Sequence, residues 1–167
     1  SSPYGVHTQT SASNILRGVS GLFFDHQFGI LPNAPVYAFC LAGLVMLAFR
    51  NRRLALELCA VGVAYLVAVS SFHMWWAGDS APARFLAPMV PLFSIPGALL
   101  WSSSSMRATR AVAVAALAAS LLMTTMMVVV DGGRLAHNTR DGYGRAAEWI
   151  SPLTDLPLAL PSFFRHT

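Results

Sequence analysis

Lysine is missing from this chain: all eleven of its basic residues are arginine. Acidic residues number only seven among 167, and charged residues of both signs make up 11%. A soluble globular domain carries about 25%, so a soluble monomer would have too few charges to cover its surface. Disorder is excluded as well, because it needs low hydrophobicity and high net charge. Here 55% of the residues are hydrophobic, the net charge is only +4, and mean hydropathy is +0.56. A GC-rich genome produces an arginine-only bias without functional pressure. No arginine cluster is interleaved with aromatics, so nucleic acid is not an expected partner. Cysteine is scarce too. Cys40 and Cys59 lie in apolar runs, where a free thiol behaves as a small hydrophobe, and their spacing matches no zinc or redox pattern. No His/Cys/Asp grouping has metal-ligand spacing, no glycine-rich phosphate loop follows a strand, and no nucleophile elbow is present. No cofactor is expected, with a divalent cation left open.

What is abundant is long uncharged sequence. Four apolar runs stand out, at 34–49, 54–72, 85–101 and 111–130. Only Glu57, near the start of the second, interrupts them with a charge. A bilayer core of about 30 Å takes about 20 apolar residues in a helix, and backbone groups in lipid must be satisfied internally. The second and fourth runs meet that length, and the first and third do so with their flanks. Four such runs in one short chain argue against the other explanation, a buried helical core in a soluble protein. The expected fold is an all-α integral membrane protein with about four transmembrane helices, an N-terminal interfacial helix and a short polar C-terminal tail. Its organisation is an outer-face segment at 1–33, a transmembrane region at 34–130 and an outer-face tail at 131–167.

Arginine placement orients these helices. Arg50, Arg52, Arg53, Arg107 and Arg110 fall in two tight loops, and short arginine-dense loops stay in the cytoplasm. The loop 73–84 and both termini are then outside, in the periplasm of a bacterial inner membrane. Ile15, Leu16, Val19, Leu22 and Phe23 follow helical spacing, with Ser13 or Asn14 as a cap; this helix is expected along the interface. Pro91 and Pro96 are expected to kink or break the third span, and Pro88 fits its first turn. Asp131-Gly132-Gly133 marks the exit of the fourth, and a short helix is expected at 142–150 before Pro152. The chain opens Ser1-Ser2-Pro3, with neither Met nor a signal-peptide pattern, and reads as a piece of a longer protein.

The segment richest in chemistry is the outer loop. It carries His73, Trp75, Trp76, Asp79 and Arg84 within twelve residues. Arg84 suits a lipid phosphate or pyrophosphate, because its planar fork offers two parallel charge-assisted bonds; a snorkelling arginine paired with Asp79 is the plainer alternative. Trp75 and Trp76 fit an aromatic belt or a platform for a sugar or isoprenoid. His73 and Asp79 have the groups for acid–base work, against a simple hydrogen-bonding role. Asp25 and His26 form a second polar pair on the same side. Glu57 is expected to pair with Arg53 or Arg52.

Gly21-Leu22-Phe23-Phe24-Asp25-His26-Gln27-Phe28-Gly29-Ile30-Leu31-Pro32-Asn33-Ala34-Pro35-Val36-Tyr37 resembles the segment leading into a late transmembrane helix of bacterial multi-spanning glycosyltransferases. Trp75-Trp76-Ala77-Gly78-Asp79-Ser80, followed by Ala83-Arg84-Phe85-Leu86-Ala87-Pro88, resembles their tryptophan/glycine loop and the Ala-Arg-Phe-Leu-x-Pro motif after it. These are the GT-C enzymes that use polyprenyl-phosphate sugars, related to mannosyl- and arabinosyltransferases. The resemblance spans residues 20–100, about half of the chain. It implies sugar transfer on the outer membrane face from a polyprenyl-phosphate donor. Under it Arg84 holds the donor phosphate, and the tryptophans line the donor groove. Family members carry their acidic catalytic residue in a first outer loop near the N-terminus, and no position here matches that motif. The chain thus resembles a C-terminal portion that needs the remaining N-terminal helices as partners, and Asp25 and Asp79 are not assigned as the base. The other expectation is a non-enzymatic membrane protein, a transporter fragment or an assembly subunit.

Overall fold

The computed structural model describes residues 10–72, 74–76, 81–137, 145–150 and 152. His73 and Asp79 lie outside them, as does the start of the helix expected at 142–150. The described residues form helices and turns, joined by one isolated bridge between Thr10 and Phe72. Helix α1 is Ile15–Phe24, α2 Ile30–Asn33, α3 Val36–Arg50 and α4 Arg52–Ser70. A 3-10 segment, Arg84–Met89, runs into α5, Val90–Ser103. Helix α6, Arg107–Val129, passes into a 3-10 turn, Val130–Ala136, and α7 is Arg145–Ile150.

Three helices are long and apolar enough to cross a membrane: Arg52–Ser70, the continuous segment Arg84–Ser103, and Arg107–Ala136. Between 17% and 28% of their apolar windows is buried within the chain. Large side chains such as Val61, Val112, Leu121, Leu122 and Val129 point outward. That much exposed apolar surface needs a cover other than water. Helix α3 is also apolar but has fifteen residues, about 22 Å at 1.5 Å per residue.

Helix α3 is the centre of the bundle and packs against α4, α5 and α6. Its approach to α5 is set by glycine. A Cβ at Gly43 would collide with the backbone carbonyl of Pro96, and one at Gly97 would come within 2.9 Å of the Cys40 sulfur. A single residue, Asn51, turns α3 into α4, and its Oδ1 accepts from the Leu54 N–H at 3.1 Å. The turn is too short to separate the two helices, so they pack as neighbours. Helix α6 is held by Ser120, whose Oγ accepts from the Val36 N–H at 3.1 Å. This satisfies a donor that the first turn of a helix leaves open.

Helix α1 lies on α4, with Gly18 against the backbone of Ser70. Asn14 makes no side-chain cap; its amide instead donates to the Ser71 carbonyl, and Ser11 supplies the cap one turn earlier, accepting from the Ser13 N–H. The prolines also sit differently from expectation. Pro91 occupies the first turn of α5, where its missing N–H costs nothing, and Pro88 falls within the 3-10 segment. Pro96 lies inside α5 and does not break it. Asp131, Gly132 and Gly133 all take positive φ, so the chain folds back and packs Leu135 on Met127.

Candidate functional site

The site grows from the end of α1. Asp25 Oδ1 accepts from the backbone N–H groups of Gln27 and Phe28, at 2.9 and 3.1 Å. The Asp25 carbonyl accepts from Gly29 at 2.8 Å. This is a side-chain-stabilised turn of the kind Asp favours, and a Cβ at Gly29 would press on the Asp25 backbone. Asn33 on α2 closes the turn by donating to the Gly29 carbonyl at 2.8 Å. Asp25, His26, Gln27 and Phe28 are all buried, Asp25 completely.

The second segment of the site follows the end of α4. Trp75 is 2% exposed, and its ring lies where a Cβ at Gly21 would stand. Trp76 meets it edge to face, with ring centroids 5.8 Å apart. Both belong to one core cluster with Leu22, Phe28, Leu86 and Phe93. The tryptophans are therefore interior packing; the belt or platform expected from sequence would need their faces at a surface. The seat of Trp75 depends on a residue 54 positions earlier having no side chain.

The two segments join at one bond. The Ala83 N–H donates to the Phe28 carbonyl at 2.9 Å. Ala83 itself has φ 55, a left-handed conformation uncommon for a residue with a Cβ. On its other side, the Phe85 carbonyl accepts from the Tyr65 hydroxyl at 2.6 Å, and Leu86 is fully buried. Arg84 is thus anchored through both backbone neighbours while its own side chain is exposed.

Beside this anchor lies an open apolar groove of about 280 Å³. Its walls are the loop 81–83, Leu86 and Val90, the α2–α3 junction, and Met127 and Val128 of α6. Asn33, Tyr37 and Thr124 supply its few polar atoms. The groove's walls are almost wholly apolar, and Arg84, one residue beyond its Ala83 wall, is exposed.

The structure brings Asp25, His26, Trp75, Trp76 and the backbone of Arg84 into one body. Sequence reasoning did not find Asn33, Tyr37, Phe28 or Thr124. Only the Asp25-x-x-x-Gly29 spacing, a turn signature, could have marked the buried turn in advance. Among the described residues no group of three His, Cys, Asp or Glu side chains gathers to hold a metal. No family model, curated protein or solved structure matches the chain.

Proposed function

We propose that this chain is the C-terminal membrane portion of a GT-C-type glycosyltransferase, transferring a sugar from a polyprenyl-phosphate donor on the outer face of a bacterial inner membrane. The observation that carries the reading is the Ala83–Phe28 hydrogen bond. It joins the two segments on which the resemblance rests, next to a groove suited to an isoprenoid chain. In this reading α3 with α2 and its flanks makes a fourth span beside the three longer helices, and both termini are outside. Helix α1 lies at the interface, its Gly18–Leu22 face inward and Leu16 outward.

The chemistry is an inverting displacement at the anomeric carbon. A carboxylate on the N-terminal helices of the full-length protein takes the acceptor's proton. Arg84 holds the lipid phosphate as it leaves, neutralising charge that grows on its oxygens. Trp75 and Trp76 brace the loop that presents Arg84, and do not touch the sugar. The test is Arg84→Ala in the full-length protein, assayed for transfer from a polyprenyl-phosphate sugar. Loss of transfer is expected; unchanged donor use would remove Arg84 from the site.

One observation favours a different reading, a non-enzymatic membrane subunit. Asp25, the buried carboxylate of the site, has one oxygen engaged by two backbone N–H groups, which is a structural duty. The upstream sequence separates the two: an acidic pair in a first outer loop belongs to the enzyme only.

A further inference from the structure

The opposite end of the bundle carries a second feature that the transfer reaction does not use. Arg50, Arg52 and Arg53 end one helical hairpin, and Arg107 and Arg110 begin the next helix. The fold ties these two loops together: Arg50 Nη1 donates to Ser103 Oγ at 2.8 Å, across 53 residues. Arg110 stands over the Trp101 ring, 5.8 Å from its centroid. Of these five arginines only Arg53 has an ion pair among the described residues, with Glu57 at 3.0 Å. Arg52 and Arg107 are exposed and make no hydrogen bond or ion pair among the described residues. Each loop therefore carries one exposed guanidinium, Arg52 in one and Arg107 in the other, and the Arg50–Ser103 bond ties the two loops together. Trp101, which Arg110 covers, is half exposed, and tryptophan favours the depth of the headgroups in a bilayer.

We infer that this arginine-rich end binds an anionic phospholipid whose headgroup carries two phosphodiesters, one engaged by the Arg50–Arg53 loop and the other by the 102–110 loop. Charge complementarity selects the ligand: planar guanidinium groups match phosphate oxygens two at a time. A basic pocket between helices at the cytoplasmic side is a recurrent setting for such headgroups. Two clusters joined at one point suit a two-phosphate headgroup better than a single one. The inference rests on the membrane-spanning reading above, but not on the transferase reading.

The test reconstitutes the whole chain in vesicles of phosphatidylcholine with one part in ten of cardiolipin. Resistance to alkaline carbonate extraction reports insertion, and native mass spectrometry of the re-extracted protein reports bound lipid. The expected result is carbonate-resistant protein with cardiolipin enriched over its share of the vesicle. The Arg52→Gln/Arg107→Gln variant is expected to stay inserted and lose about tenfold or more of that enrichment, while Arg52→Lys/Arg107→Lys keeps only part of it. Inserted protein without enrichment, or enrichment equal in the Gln variant, would overturn the lipid site and leave the membrane reading standing. Protein that carbonate extracts would overturn both. Inorganic pyrophosphate that competes away the lipid at equal phosphate would assign the site to a soluble anion instead and also overturn the proposal.

Discussion

The backbone N–H of Ala83 reaches the carbonyl of Phe28 across 55 residues, at 2.9 Å. That bond pins a left-handed residue just before Arg84 to a buried turn built on Asp25. Ala83→Gly relieves the left-handed strain without removing the bond, whereas Ala83→Pro removes the N–H. We expect the glycine variant to be neutral or slightly stabilising in detergent denaturation. The proline variant loses the donor and cannot adopt φ 55, because its ring fixes φ at about −65°, so it should lose more than about 1 kcal/mol. Equal stabilities would contradict the anchoring role.

Gly21 and Trp75 make a sharper test of the core. Gly21→Ala places a methyl group where the indole ring lies, and overpacking of this kind costs about 1–3 kcal/mol. Tryptophan fluorescence should shift to the red as Trp75 gains solvent. An unshifted spectrum with unchanged stability would mean that the ring is not seated there.

The glycines of the bundle should not behave alike. At Gly43 the obstacle is the Pro96 backbone, which cannot move without parting α3 from α5. At Gly62 it is the flexible Met89 Cε, 3.1 Å away. Gly43→Ala is expected to destabilise by about 1–3 kcal/mol. Gly62→Ala should be near neutral, since Met is adaptable and Ala favours the helix. Comparing their unfolding midpoints in one detergent checks the order.

Asp25 separates structural from chemical roles. Asp25→Asn keeps an oxygen for the Gln27 and Phe28 N–H groups; Asp25→Ala keeps none. We expect the Asn variant to fold as the parent does and to retain transfer activity in the full-length protein. The Ala variant should be less stable by about 1–3 kcal/mol. Abolished transfer in a well-folded Asn variant would give Asp25 a chemical role after all.

Much of this architecture was legible from local sequence. The helices α4 and α6 are where apolar runs of spanning length stand, because an apolar run that long has few other ways to satisfy its backbone. Glu57 pairs with Arg53 because four residues make one helical turn, and Asp131-Gly132-Gly133 ends α6 because its residues tolerate positive φ. What was not legible depends on partners distant in sequence. Trp75 is buried because Gly21 leaves room, and no pattern within 74–76 records that. Ser120 reads as one polar residue in an apolar helix until Val36 is placed against it. The hydrophobic run places Pro91 in its interior, but α5 begins at Val90, later than the run. That shifts Pro91 from the interior to the first turn. Arg84 stands out in sequence because its neighbourhood is distinctive; the groove beside Ala83 does not, because its walls come from elements far apart in the chain.

The steady-state kinetics of Arg84→Ala in the full-length protein bear most directly on the central claim, measured with a polyprenyl-phosphate sugar as the varied substrate and again with the acceptor varied. With Arg84 on the donor phosphate, kcat/KM for the donor falls by about a hundredfold, the loss of one charge-assisted pair, while the acceptor KM is unchanged and Arg84→Lys recovers part of the loss. A variant that keeps the parent's kcat/KM for the donor would contradict the claim that the Ala83–Phe28 anchor exists to present a phosphate ligand.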